Sequence, residues 1–358
     1  MYRLRWGSYT WIPALVGTAI IGFIALFLST RVMGEAWYGT YYVPMLGYFV
    51  MVSVCQAHYF KSNPEPNLAG IWRQGVSIVG AIALFYFHRW VMGSVFGIPA
   101  KLVLPGQLTF ILVGFFVFAW DDSMARGQFA KWIRIDALKA LFWYAVIWVL
   151  WYLVFAMPGG LVSALGTFSQ LRMNMFLAIF QWMIILQLMM GIIWKDVLQG
   201  LRFPNNYLRG VSLLVANASV GVALSYITYL IGSAMAAGVT PSLTGAEKWR
   251  FVLMAATYPL IPVIVFGLYT NQFGHIASVG KRVAARTALV FSLMIVGYLL
   301  FRFVVSPSGI FGHHPWWNDI DLVYNFTIPI LLLTHFWFSG RLGFLVRVKE
   351  DVPAGPAT

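Results

Sequence analysis

The stretch LVLPGQLTFILVGFFVFAW, residues 102–120, contains no charged side chain. A helix of this length rises about 28 Å at about 1.5 Å per residue, which nearly matches a hydrocarbon core of about 30 Å. Comparable apolar runs recur along the chain, and they lack the alternation of polar and apolar residues that marks strands of a membrane barrel. The sequence therefore predicts an all-α integral membrane protein.

The runs predict a polytopic bundle of about ten transmembrane helices. Residues 1–350 are expected to form a single transmembrane helical domain, and residues 351–358 a disordered C-terminal tail, because that tail is short and rich in Pro, Gly and Ala. The predicted spans are 11–29, 41–59, 76–96, 102–120, 140–157, 173–194, 211–235, 251–269, 288–305 and 322–338.

The composition supports membrane insertion independently of the runs. Hydrophobic residues make up 60% of the chain, charged residues make up 10%, and the mean hydropathy is +0.78. A soluble domain carries about 25% charged residues, so there is too little charge here to cover a surface in water. The lipid bilayer is therefore the first expected partner of the chain.

The basic residues predict an orientation. With both termini in the cytoplasm, most of the 24 Lys and Arg residues fall in cytoplasmic segments, as is usual for membrane proteins. Arg89 lies within a span. The external helix ends carry the remainder, which are Arg31, Lys101, Arg172, Lys248, Arg250 and Arg302.

This sorting also explains the net charge of +13. In a soluble protein such an excess would point to nucleic acid, whereas here we expect no nucleic-acid partner. The predicted location is a bacterial cytoplasmic (inner) membrane, with both termini on the cytoplasmic side. Protein partners in a membrane complex stay open.

The first pair of candidate site residues is His88–Arg89, which lies deep in the third span. Ionisable side chains within a membrane are costly and usually face the bundle interior or water. Two interpretations stay open. The pair contacts a substrate or anion, or Arg89 extends to the outer interface while His88 bonds to a neighbouring helix.

Asn217 and Ser219 are candidates because they belong to a small and polar face of the seventh span. Small residues allow close helix packing and Asn or Ser bonds across helices, so both a packing role and a wall of a polar pathway are predicted alternatives. Gln181 and Gln187 in the sixth span are expected to face this wall.

Thr257, Pro259 and Pro262 are candidates because two prolines three positions apart remove two helix donors. Transporters use such breaks at membrane depth as binding points, and a plain structural kink is the alternative. With His88, Arg89 and Asn217, these residues are expected to line one cavity between the third, seventh and eighth helices.

A metal site is a weaker candidate. His58, Asp121 and His335 lie near predicted cytoplasmic helix ends, and His with carboxylate is a common set of metal ligands. With one cysteine in the chain, no cysteine cluster is available. The cofactor stays unknown.

Three functions are compatible with these features. The first is a transporter or permease for a small polar or anionic solute, with ten spans, short loops and polar seventh and eighth spans. The second is a membrane-embedded enzyme acting on a lipid or lipid-linked substrate, and the third is a redox-complex subunit holding haem or quinone. The chain has no Walker A, Rossmann, HExxH or GxSxG motif and no carboxylate in the middle of a span, so enzymatic activity stays open.

Overall fold

The computed structural model describes residues 11–59, 66–157, 163–164, 167–264, 273, 276–310 and 316. Over these residues the chain is helical apart from loops and one pair of two-residue strands. The helices are α1 (Trp11–Phe27), α2 (Glu35–Trp37), α3 (Val43–Tyr59), α4 (Pro66–Trp90), α5 (Ala100–Ser123), α6 (Asp136–Trp151), α7 (Gln170–Leu188), α8 (Lys195–Gly200), α9 (Asn206–Val239), α10 (Gly245–Ala255), α11 (Leu260–Ile264) and α12 (Val279–Leu300).

Several helices continue into a five-residue π-helical turn, in which the following N–H bonds to the carbonyl five residues back. These turns are Leu28–Val32, Val91–Val95, Tyr152–Ala156, Met189–Ile193 and Phe301–Val305, and Tyr38–Tyr42 joins α2 to α3. The strands β1 (Ser163–Ala164) and β2 (Thr167–Phe168) pair antiparallel between α6 and α7.

Polar N-cap residues mark where α9 and α10 begin. The side chain of Asn205 accepts a hydrogen bond from the backbone N–H of Leu208 at 2.8 Å at the start of α9. At the start of α10, Thr244 and Glu247 form a capping box. Each cap satisfies backbone donors that the first helical turn leaves without a partner.

Six described helical segments are, by length and composition, long and apolar enough to cross a membrane, which is consistent with an integral membrane protein. They are Gly75–Val95, Ala100–Asp121, Asp136–Ala156, Gln170–Ile193, Asn206–Val239 and Val279–Ser308. They coincide with the predicted spans from the third to the seventh and with the ninth. The tenth predicted span and both termini lie outside the described residues, so the count of ten and the cytoplasmic termini stay predictions.

The first, second and eighth predicted spans are also helical over their described residues, apart from a break in the eighth, but they are not among these six segments. The first contains the apolar segment Ala19–Val32, and the second is α3 with the helical turns before it. In the eighth, α10 ends at Ala255 and α11 begins at Leu260. The break expected from the two prolines is therefore present.

Helices α5 and α7 occupy the centre of the bundle. Helix α5 packs against α3, α4, α6, α7 and α9, and α7 packs against α5, α9 and α10. The outer faces of the peripheral helices expose large apolar side chains such as Val79, Ile227 and Leu299. An apolar outer surface of this kind suits contact with lipid tails.

Candidate functional site

His88 is fully buried where α3, α4, α5 and α6 meet. Its Nδ1 lies 2.8 Å from the hydroxyl of Tyr48, and its Nε2 lies 2.6 Å from the hydroxyl of Tyr144. The rings of Phe110 and Trp148 close the remaining sides, with centroids 4.2 Å and 5.0 Å from the His88 ring. A neutral imidazole carries one donor and one acceptor nitrogen, so one tyrosine donates to the ring and the other accepts from it.

This His88 network, consisting of His88, Tyr48 and Tyr144, is complete within the protein. A metal or haem iron binds a ring nitrogen of histidine, and here it would have to displace a tyrosine hydroxyl. The sequence pointed to His88 but not to its partners. Tyr48 and Tyr144 lie 40 and 56 positions away along the chain, and only the packing of the helices brings them together.

Arg89 is half-buried beside His88. Its guanidinium carbon lies 5.9 Å from the ring centre of Tyr41 and 5.8 Å from that of Phe85. Contacts of this kind are attractive because the face of an aromatic ring is negative. His88 bonds to neighbouring helices as one of the two expected alternatives requires, whereas the reach of Arg89 to the outer interface stays a prediction.

Asn217 differs from His88 in its surroundings. It is fully buried on α9, and neither Oδ1 nor Nδ2 has a hydrogen-bond partner among the described residues. Leaving a buried polar group unpaired costs about 1–3 kcal/mol. An amide with both ends unpaired is therefore expected to bond to something that the described residues do not supply, such as water or a solute.

The neighbours of Asn217 follow from the direction of the helices. A Cβ added at Gly245 would meet both Leu171 near the start of α7 and Tyr229 on α9, and one added at Gly221 of α9 would meet Met183 further along α7. Residues later in α7 therefore lie beside residues earlier in α9. The two helices are antiparallel.

This register brings a second polar side chain to the level of Asn217. One turn along α7 from Met183 is Gln187, and one turn back along α9 from Gly221 is Asn217. The Gln187 Nε2 donates to the carbonyl of Phe116 on α5 at 3.3 Å, and its Oε1 has no partner in the described part of the chain. Gln187 and Asn217 therefore lie at one depth between α5, α7 and α9.

Gln181 adds a polar atom on the neighbouring face of α7. It lies two turns from Asn174, whose amide donates to the carbonyl of Ala246 at the start of α10 at 2.9 Å. Gln181 is 2% exposed, and its Nε2 has no partner within the described ranges. We refer to Gln181, Gln187 and Asn217 together as the polar seam.

The break between α10 and α11 flanks the polar seam, since both of these helices contact α7. Thr257 is fully buried in the break, and its hydroxyl donates to the carbonyl of Met254 at 2.6 Å. Turn bonds also occupy carbonyls there, including a bond of 3.3 Å from the Tyr258 N–H to Ala255. In a continuous helix the N–H of residue 259 would bond to the carbonyl of Ala255, but Pro259 has no N–H. The bond from Tyr258 occupies this carbonyl instead, so the break exposes less backbone than expected.

Two further candidates take different positions. Pro262 is buried in α11 next to the break. Ser219 is exposed on α9, because two positions along a helix turn a side chain by about 200° away from Asn217. Ser219 therefore does not join the polar seam.

No described contact joins His88 to Asn217 or Thr257, so the expected single cavity between the third, seventh and eighth helices stays a prediction. His88 contacts side chains of α3, α5 and α6, whereas Asn217 lies where α9 packs on α7 and α5, and Thr257 lies beside α7. Helix α5 stands between His88 and Asn217. His88 finds its partners in adjacent helices and needs no shared wet cavity.

The metal candidates are only partly described. Asp121 is buried near the end of α5, at 4% exposure. The side chain of His58 and all of His335 lie outside the described residues. In the described part of the chain, no three His, Cys, Asp or Glu residues come together as a metal site would require, so this site stays a prediction.

Comparison with models of protein families, with curated proteins and with solved structures finds no match to this chain. The functional proposal therefore depends on the polar seam, its geometry and the chemistry of its side chains.

Proposed function

We propose that the chain is a membrane transporter or permease for a small polar or anionic solute, with its pathway along the polar seam. One observation carries this proposal: the buried amides of Asn217, Gln181 and Gln187 keep polar atoms without a partner among the described residues. In a membrane no water from outside reaches such atoms unless a cavity admits it. A pathway that admits water or solute supplies the missing partners.

The helices around the polar seam also suit a pathway. Gly221 lies on the same face of α9 as Asn217 and lets α9 approach Met183 of α7 closely. The break at Thr257 and Pro259 interrupts the helical segment that begins with α10, which packs on both α7 and α9. Interrupted helices next to a polar site allow parts of a bundle to move relative to each other, as alternating access requires.

The two other functions lead to different observations. A redox subunit that binds haem would show a Soret absorption band, and His58→Ala would remove it if His58 were an axial ligand. A lipid-modifying enzyme would need its acid–base groups at an interface. Asp121, a metal-site candidate near the end of α5, is the one of those three candidates whose side chain is described.

Cysteine accessibility tests the pathway directly. Cys55 is the single native thiol, so Cys55→Ala provides a background without cysteine. Into it we would introduce Asn217→Cys and, as a matched control of equal burial, Phe110→Cys beside the His88 network. Each variant is treated in membranes with a charged, membrane-impermeant thiosulfonate from either side.

We expect the thiol at position 217 to react at least tenfold faster than the thiol at position 110, because only the first faces an aqueous pathway. Equal and negligible rates at both positions, in protein that remains folded, would contradict a pathway along the polar seam.

A further inference from the structure

We infer that the solute is uncharged and carries both hydrogen-bond donors and acceptors, as amides, ureas and polyols do. This inference rests on the proposed function and narrows it. Its basis is the set of unpaired atoms in the polar seam together with the positions of the charged residues on the helices that form it.

The charged side chains of α7 and α9 lie at the ends of these helices. Helix α7 carries only Arg172 and α9 only Arg209, each within the first turn of its helix. On α5 the acidic residue closest to Phe116 is Asp121, about 7.5 Å further along the axis at about 1.5 Å per residue. Arg209 precedes Asn217 by about 12 Å on the same basis. The polar seam itself consists of amides alone.

The second step is the cost of admitting an ion. A charge that leaves water needs an opposite charge or many aligned dipoles, since its desolvation costs far more than that of a neutral polar group. Arg89 was the residue that favoured an anion, and its guanidinium lies over Tyr41 and Phe85 on the far side of α5. Without it, the basic side chain on α9 is Arg209, which is buried about 12 Å along the helix axis from Asn217 at about 1.5 Å per residue, so the amides themselves offer no fixed charge to replace the hydration of an anion.

The third step is the match of donors and acceptors. The unpaired Nδ2 of Asn217 and Nε2 of Gln181 donate, and the unpaired Oδ1 of Asn217 and Oε1 of Gln187 accept. Both ends of Asn217 are unpaired, so this balance does not depend on which way its amide is turned. The Gln187 orientation is set by the bond from Nε2 to the carbonyl of Phe116. A solute that only accepts, such as chloride, would leave the two acceptor oxygens unpaired.

The test compares two classes of solute in proteoliposomes. Stopped-flow light scattering measures swelling in gradients of urea and glycerol, and in gradients of potassium chloride and potassium phosphate with valinomycin present to balance charge. The variants are the native chain, Asn217→Leu, and Tyr144→Phe as a control that removes a buried hydroxyl outside the polar seam. Empty liposomes give the background.

With the native chain, we expect urea or glycerol to enter at least fivefold faster than in empty liposomes and the anions to enter at the background rate. Asn217→Leu should abolish the faster entry of neutral solutes, and Tyr144→Phe should retain it. Anion entry that is sensitive to Asn217→Leu, without entry of neutral solutes, would overturn this inference and leave the proposed function standing. Background rates for both classes in folded protein would overturn both. Neutral entry that Asn217→Leu leaves unchanged would also reject the inference, because the solute would then bypass the polar seam.

Discussion

The His88 network and the polar seam lie on opposite sides of α5, and both consist of polar side chains buried among apolar helices. In the network, each ring nitrogen of His88 has a tyrosine hydroxyl within 2.8 Å. In the polar seam, Asn217 is as fully buried as His88, yet its amide is unpaired at both ends in the described part of the chain.

The difference teaches that burial of a polar residue in a membrane does not by itself indicate function. A polar group that the protein satisfies contributes to holding helices together. A buried polar group without a hydrogen-bond partner lowers the stability of the folded state. A bound solute or water that pairs with the group is a physical reason for its presence. The following predictions separate these two cases.

The largest expected effect is the loss of His88. Replacing His88 with Ala removes two hydrogen bonds and leaves a cavity between four helices, so the free energy of unfolding should fall by about 2–4 kcal/mol. Unfolding by sodium dodecyl sulfate in mixed micelles measures it. Tyr144→Phe removes one of the two bonds and should lower the value by about 1 kcal/mol.

If His88→Ala leaves the unfolding free energy unchanged, the network is not a structural element, and a functional role for His88 is open again. If the proposed pathway follows the polar seam, Tyr144→Phe should retain the proposed transport, because Tyr144 lies outside the polar seam.

The packing that encloses the polar seam gives the second effect. A methyl group added at Gly232 of α9 would overlap the ring of Phe251 on α10, whereas one added at Gly238 would meet nothing within 4 Å. We expect Gly232→Ala to lower the free energy of unfolding by about 1–3 kcal/mol. Gly238→Ala should leave it unchanged or raise it slightly, because alanine favours helix more than glycine does. Equal values for the two variants would show that α9 and α10 do not pack this closely.

The third effect is an increase in the free energy of unfolding. Asn217→Leu replaces an unpaired amide with an apolar group of the same branching, so the free energy of unfolding should rise by about 1 kcal/mol while the proposed transport is lost. The same denaturant titration measures the change. A loss of stability as large as that of His88→Ala would mean that Asn217 is paired and that the two regions are alike.

The smallest effect is a pH dependence in the first turn of α10, where Glu247 lies. Bonds from the backbone N–H and then the hydroxyl of Thr244 hold the pKa of the Glu247 carboxyl below its usual 4.5. A carboxyl with a lowered pKa adds stability above pH 4.5, and this contribution is lost as the pH falls through the lowered value.

Thermal unfolding between pH 6 and pH 3 should therefore show a small loss of stability that Glu247→Gln removes. An identical acid dependence in Glu247→Gln would assign the loss to other carboxyl groups.

The sequence determined the class of protein and the type of secondary structure. Uncharged runs such as residues 102–120 have only the helix as a way to satisfy their backbone in hydrocarbon, so the central spans were predictable from length and composition. The break in the eighth span was also predictable, because Pro259 and Pro262 lack backbone donors and act locally.

Only the tertiary structure decided which polar residues meet. His88, Asn217 and Thr257 are similar in sequence terms, since each is a polar residue within an apolar run, and the sequence led us to place them in one cavity. Helix packing brings Tyr48 and Tyr144 to His88 and no described partner to the amide of Asn217, and it turns Arg89 onto Tyr41 and Phe85. The reason is physical: helix formation depends on neighbours within about four residues, whereas the pairing of a buried polar group depends on side chains dozens of positions away, whose arrival is fixed by how the helices pack.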